Sequence, residues 1–196
     1  MKKNLLTLAL LLAGAGAAQA QRPASTIGLT LGYGRTQQLG NNVYSPVGHS
    51  AYQGGLTADV YLGEALSFHP EALYTLQYYD TSNNDDLNRD ITYINVPLLA
   101  RYHADGLFFE LGPEVNFALG AKNEAGDDIK SRDVNPVVLD YVAGLGYQLS
   151  SGLALGLRYD GGFTNTFKTN SSTALGRGEF KSSTFWLNLS YAFGGK

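Results

Sequence analysis

Residues 139–163, LDYVAGLGYQLSSGLALGLRYDGGF, decide the fold of this chain. Apolar side chains occupy nearly every second position on both sides of Ser150, Ser151 and Gly152, and small or polar residues fill most of the positions between them. A period of two is typical of a β-strand with one apolar face, and Ser and Gly favour a tight turn. The segment therefore predicts two antiparallel strands joined by a short hairpin connection.

The same alternation recurs along the rest of the chain. Eight stretches carry it: residues 26–35, 51–62, 66–79, 92–102, 107–119, 137–149, 153–163 and 185–193. The connections between them alternate between tight turns and long polar loops. This plan predicts an all-β fold, an eight-stranded antiparallel up-and-down transmembrane β-barrel. Both termini and the short turns are then expected to face the periplasm, and the long loops to face the outside.

The N-terminus predicts export. Lys2 and Lys3 precede an apolar stretch at residues 5–13, and Ala18 and Ala20 fit the small-x-small rule for signal cleavage. We therefore expect a signal peptide at residues 1–20 and a barrel domain at residues 21–196, placed in the bacterial outer membrane. The chain has no cysteine, which excludes both a lipid-modified N-terminal cysteine and a disulfide framework.

Composition narrows the function classes. The net charge of -3, without a basic stripe, argues against a nucleic-acid partner. Proline is sparse and no tract is of low complexity, so a folded domain is expected. After residue 20 no apolar run reaches the length of a membrane helix. A place in a membrane therefore requires a closed barrel, since only that arrangement of strands satisfies every backbone group in lipid.

Three features distinguish a membrane barrel from a soluble, lipocalin-like periplasmic binder, which is the alternative. The polar face is rich in small residues, as a narrow interior requires. No Lys, Arg, Asp or Glu is expected on the apolar face, where a charge would meet lipid. Aromatic residues form two belts, one near each membrane interface. The loop-side belt is Tyr33, Tyr52, Tyr78, Phe117, Tyr141, Phe163 and Phe185, and the turn-side belt is Phe68, Tyr102, Phe109, Tyr147, Tyr191 and Phe193.

Several segments resemble the PorT-like outer-membrane β-barrel family. They are LSFHPEALYTLQYY (66–79), YINVPLLARY (93–102), LFFELGPEVNFALG (107–120), residues 139–165 and the terminal FWLNLSYAFGGK (185–196). The resemblance covers nearly the whole chain after residue 20 and implies a small outer-membrane barrel. Named members are linked to protein secretion, but no catalytic or binding motif defines the family, so that link does not transfer to this chain.

The last predicted strand indicates one protein partner, the barrel-assembly machinery. Phe193 resembles the aromatic C-terminal signal that the barrel-assembly machinery recognises, although Gly194, Gly195 and Lys196 follow it. A simple belt aromatic is the other interpretation of this residue. The remaining expected contacts are outer-membrane lipid around a monomer, and the sequence identifies no ligand or other protein partner.

Charged residues on the polar face are the candidate site. They are Asp59, Glu71, Arg101, Glu110, Glu114, Asp140, Arg158 and Asp160. Counting along the strands places the first four near the short turns and the last four near the loops, so that each group has one arginine. An arginine that donates to two carboxylates would satisfy buried charges and plug a narrow tube. The excess of carboxylates leaves room for a protonated carboxyl, a water or a cation. A narrow channel for small solutes is the alternative.

No catalytic, cofactor or metal site is expected. Ser67, His69 and Glu71 share one face, but successive residues on a face lie about 7 Å apart, beyond hydrogen-bond reach. The three histidines are predicted in different parts of the barrel, which gives a metal cluster no support. The acidic loop segments 83–86 and 127–128 have two interpretations: they bind calcium, or they are polar loops that contact only solvent. The sequence thus predicts a non-enzymatic barrel with a structural, adhesive or accessory role.

Overall fold

A computed structural model of the chain describes residues 23–39, 49–79, 89–123, 126–168 and 181–194. Its strands are β1 (Thr26–Leu39), β2 (His49–Tyr61), β3 (Leu66–Tyr79), β4 (Arg89–Ala104), β5 (Leu107–Asn123), β6 (Val137–Gln148), β7 (Leu153–Gly162) and β8 (Lys181–Phe193). Each strand pairs antiparallel with the next, and β8 pairs with β1 to close the barrel. All eight predicted strands are confirmed. The predicted signal peptide and the acidic segment 83–86 lie outside the described residues.

Several strands continue further toward the long loops than the alternation predicted. β1 was expected to end at residue 35 and β8 to begin at residue 185, yet the two remain paired to Leu39 and Lys181. Most residues there are polar, which hides the period of two. The Thr36 hydroxyl accepts a hydrogen bond from Thr184 at 2.9 Å and lies 3.0 Å from the Ser182 hydroxyl. Hydroxyl contacts thus replace apolar packing inside this end of the barrel.

The apolar face of the strands points outward. Leu31, Leu56 and Leu111 are each more than 60% exposed, and of the thirteen belt aromatics only Tyr78 is half-buried rather than exposed. Within the predicted stretches, the outer face of the described strands carries one charge, which the sequence reasoning excluded: Arg35 is exposed at the loop end of its stretch. This position is nearer the membrane interface than the midplane, and the free-energy cost of a charge falls toward the interface. No helix in the described segments is long and apolar enough to cross a membrane.

The loop end of the barrel interior is covered by an apolar cluster that the alternation did not predict. Its members, here called the cap, are Ile91, Tyr93, Ala118, Ala121, Ile129, Val134 and Phe167. A four-residue helix, α1 (Lys130–Asp133), lies between two cap residues, Ile129 and Val134. The Ile129 amide donates to the Ala121 carbonyl, and Val134 bridges to Phe167. The segments after β5 and β7 therefore fold back onto the inward face of β4 and β5.

Candidate functional site

Strand register places three charged residues of the interior, Arg101, Glu110 and Arg158, in one row. Arg101 pairs with Glu110, Glu110 with Gly144, and Gly144 with Arg158, across β4 to β7. Arg101 donates to Glu110 Oε2 from Nη2 at 2.8 Å and from Nε at 3.2 Å. Arg158 Nε donates to Glu110 Oε1 at 2.9 Å. One carboxylate is therefore held between two guanidinium groups.

Gly144 makes that bridge possible. A Cβ atom at this position would lie 2.6 Å from Glu110 Oε1 and 2.9 Å from its Cγ. Such a distance is well below van der Waals contact, so any side chain here would displace the Glu110 carboxylate. On the turn side, the Arg101 guanidinium lies over the Phe108 ring, 4.3 Å from its centroid. A guanidinium in this position is stabilised by the electron-rich ring face.

Arg158 also connects opposite walls of the barrel. Its Nη1 donates to Glu71 Oε2 at 2.8 Å and its Nη2 to Glu71 Oε1 at 2.9 Å. Glu71 lies on β3 and Arg158 on β7, which are four strands apart in either direction around the barrel. A bidentate pair between these strands therefore crosses the lumen.

Two further residues close the contacts into a circuit. His69 Nε2 lies 2.8 Å from Glu71 Oε1, and His69 Nδ1 lies 3.0 Å from Asp59 Oδ1. Asp59 Oδ2 in turn accepts from Arg101 Nη1 at 3.0 Å. The circuit, here called the ion-pair ring, consists of Asp59, His69, Glu71, Arg101, Glu110 and Arg158. Every member is at most 7% exposed.

The ring is close to electrical balance. It contains three carboxylates and two guanidinium groups, and His69 lies between two of the carboxylates. A proton on both nitrogens of His69 would make the ring neutral. Buried charges require this kind of pairing, because an isolated ion in a low-dielectric interior is costly.

The predicted division of the charges into two groups with one arginine each is wrong for Arg158. Register, rather than position counted from the strand end, places it in the row of Glu110, and its guanidinium contacts the turn-side carboxylates. Three residues nearer the loops are left without an arginine. They form the carboxylate tier, which is Glu114, Asp140 and Asp160.

Uncharged side chains donate hydrogen bonds to the carboxylate tier instead. Asn95 Nδ2 donates to Glu114 at 3.0 Å, and Asn116 Nδ2 donates to Asp140 at 2.7 Å. The sequence reasoning did not identify these two amides as site residues, although both stand at inward positions of their strands. Each carboxylate of the tier keeps one buried oxygen that has no hydrogen-bond partner among the described residues.

The third donor to the tier is the indole of Trp186. Its Nε1 donates to Asp160 Oδ2 at 2.5 Å, and the indole is 2% exposed. This is the one tryptophan of the chain. In the described ranges, no group of three or more His, Cys, Asp or Glu side chains is arranged to hold a metal ion.

The Ser67–His69–Glu71 combination does not form a catalytic relay. The expectation that these residues are beyond hydrogen-bond reach is wrong for His69 and Glu71, since His69 Nε2 lies 2.8 Å from Glu71 Oε1. The Ser67 hydroxyl instead donates to Asp59 at 2.8 Å and lies 3.0 Å from His103 Nε2. Ser67 is 0% exposed, so a substrate has no access to its oxygen. The pairing of Ser67 with His103 across β3 and β4 was not predicted, because only the pairing of these two strands brings the side chains together.

Comparison with known proteins agrees with this architecture. The family model described as outer membrane protein beta-barrel domain matches residues 17–168. No curated protein shows significant sequence similarity to the chain. The crystal structure of Neisserial surface protein A superposes with a TM-score of 0.63 at 11% identity, covering 87% of this chain and 99% of that one. Ail, the attachment invasion locus protein of Yersinia pestis, gives 0.53 at 14% identity, covering 88% and 100%. At these identities the likeness concerns the fold alone.

Proposed function

Because the chain belongs to the family of outer membrane protein beta-barrel domains, we propose that it is a small non-enzymatic barrel whose lumen is plugged. Its role in the bacterial outer membrane is structural, adhesive or accessory. The outward apolar face supports insertion into lipid, and it is the reverse of what a soluble, lipocalin-like binder requires.

The ion-pair ring is the observation that carries the proposal of a plugged lumen. Its six side chains come from five strands, and the Arg158–Glu71 pair connects opposite walls. A solute that passed this level would have to separate buried ion pairs, and exposing one unpaired partner costs about 3–5 kcal/mol. The cap covers the inward face at the loop end and adds a second obstruction.

The proposed placement in the cell follows from the connections. Residues 1–20 direct export, the short turns face the periplasm, and the long loops face the outside. Within the family, segments such as YINVPLLARY (93–102) support a PorT-like assignment. Phe193, exposed on the last strand, supports recognition by the barrel-assembly machinery. The barrel acts as a monomer surrounded by outer-membrane lipid.

A narrow cation channel is the second candidate function, and the carboxylate tier is what favours it. Glu114, Asp140 and Asp160 each present one oxygen atom that has no donor among the described residues, so the loop half of the lumen attracts positive charge. The ion-pair ring lies between this tier and the short turns. A channel would therefore require the ring to open.

Two measurements test the proposal. The full chain is expected to fractionate with membranes and to migrate differently on detergent gels before and after heating, as folded membrane barrels do. A soluble chain would contradict the membrane assignment. Liposomes containing the folded barrel are expected not to swell in isotonic solutions of a small sugar, and swelling would favour the channel.

A further inference from the structure

A groove of about 560 Å³ crosses the outer surface of four neighbouring strands, β6, β7, β8 and β1, in the half of the barrel nearer the loops. Two adjacent rows of outward side chains line it, as the strand register shows. The upper row is Ala143, Tyr159, Phe185 and Arg35, and the lower row is Leu145, Leu157, Leu187 and Tyr33. The groove therefore has an apolar floor and one charged end.

The shape of the groove depends on Ala143, the smallest outward side chain that lines it. Ala143 presents only a methyl group, whereas Tyr159 and Phe185 in the same row carry rings. The Tyr159 and Phe185 rings lie against each other, with centroids 4.8 Å apart, and Tyr141 lies 6.0 Å from Tyr159. These rings form a wall on the loop side of the groove. An elongated apolar chain could lie beneath this wall.

Arg35 stands at the β1 end of the groove, where a lipid headgroup would be. It is exposed and lies one outward position beyond Tyr33, which belongs to the loop-side aromatic belt. Such belts mark the level at which hydrocarbon gives way to headgroups. Among the described residues no carboxylate pairs with Arg35. Its neighbour is the uncharged Tyr33 hydroxyl, so the charge of Arg35 is available to an anion in the membrane interface.

We infer that this groove binds one phosphate-bearing lipid of the outer leaflet. The phosphate pairs with the Arg35 guanidinium, whose planar fork matches phosphate oxygens, and an acyl chain lies along the groove toward Ala143. The inference rests on the proposed function, since it requires a barrel in the membrane with its loops outside. It goes further by assigning a specific site and headgroup chemistry to one part of the lipid-facing surface.

Native mass spectrometry of the folded full chain in detergent tests the inference. The probes are dipalmitoyl phosphatidic acid and dipalmitoylglycerol, which share acyl chains and differ in the phosphate. One phosphatidic acid is expected to bind about tenfold more tightly than the diacylglycerol, a typical gain for one charge-assisted contact. Arg35→Gln is expected to remove this preference, and Arg35→Lys to keep part of it. Ala143→Leu is expected to weaken both lipids, because it fills the groove.

Ala100→Leu is the matched control, since Ala100 is an exposed outward alanine on β4, away from the groove. It is expected to leave both affinities unchanged. The inference is overturned if Arg35→Gln keeps the preference for phosphate, or if Ala100→Leu weakens binding as much as Ala143→Leu. Heat-modifiable migration of every variant reports folding separately. A barrel that fails to insert into lipid overturns the proposed function, whereas an inserted barrel without a phosphate preference overturns only the lipid site.

Discussion

Arg158 on β7 and Glu71 on β3 are joined by two hydrogen bonds, of 2.8 and 2.9 Å, between opposite walls of the barrel. The strands of a closed sheet are normally connected only to their neighbours through the backbone ladder. This side-chain pair connects strands that share no ladder. It connects the barrel walls across the lumen, at the level of the proposed plug.

Arg158→Ala is expected to destabilise the folded barrel by about 3–5 kcal/mol, because it leaves Glu71 and Glu110 buried without their shared cation. Urea unfolding in lipid vesicles, followed by the loss of the heat-modifiable gel form, measures the change. Arg35→Ala is the control, since Arg35 is exposed on the outer face. Equal effects of the two variants would show that the Arg158 contacts do not stabilise the barrel.

Gly144→Ala is expected to lower stability by about 1–3 kcal/mol, because its Cβ would overlap the Glu110 carboxylate that two arginines hold in place. Gly156→Ala is a matched control on β7. A Cβ there would have its closest neighbour, a Phe108 ring atom, at 3.5 Å, an ordinary contact. The comparison uses the same unfolding measurement. If the two substitutions lower the free energy of unfolding equally, the position of the Glu110 carboxylate does not depend on the missing side chain at Gly144.

Asp160→Ala is expected to change the near-ultraviolet circular dichroism of Trp186, the one tryptophan, and to cost about 1–3 kcal/mol. The buried indole N–H would lose its acceptor and the ring its fixed orientation. Asp105→Ala, at the exposed turn between β4 and β5, is the control and should leave the tryptophan signal unchanged. An unaltered signal in Asp160→Ala would contradict the Trp186–Asp160 contact.

Leu31→Arg is expected to destabilise the barrel in lipid vesicles by about 2–4 kcal/mol, because it places a charge on the lipid face near the middle of β1. Leu149→Arg, also on the outer face but at a short turn, is expected to cost about 0–1 kcal/mol. Leu31 and Leu149 are 67% and 50% exposed, so neither substitution disturbs the interior. If Leu149→Arg costs as much as Leu31→Arg, the depth assigned to the two residues is wrong.

The sequence predicts the strands of this barrel well because the physical cause is local. Alternation in a single strand places Leu31 outside and Glu110 inside without knowledge of any other strand. It fails where both faces have the same polarity, as around Thr36 and Ser183, so the end of β1 was placed too early and the start of β8 too late. The cap was missed for a related reason, since Ile129 lies in a segment without a period of two.

The sequence predicted which charged residues line the interior but not which of them form pairs. The alternation along each strand identified Arg158 and Glu110 as inward residues. Which carboxylate an arginine contacts depends on the register between neighbouring strands, and the sequence of a single strand does not determine that register. Gly144 is the residue that brings the two side chains together, and in the sequence it is one small residue among many. The contact between Ser67 and His103 likewise arises only when β3 and β4 pair.

Planar-bilayer conductance of the folded chain tests the plugged lumen most directly. The wild-type barrel is expected to show no steady openings, and Arg35→Gln, which leaves the ion-pair ring intact, should remain silent as well. The double variant Arg101→Ala/Arg158→Ala, which removes both guanidinium groups from the ring, is expected to conduct. Steady openings of the wild-type barrel, abolished or widened by Arg158→Ala, would contradict the plug.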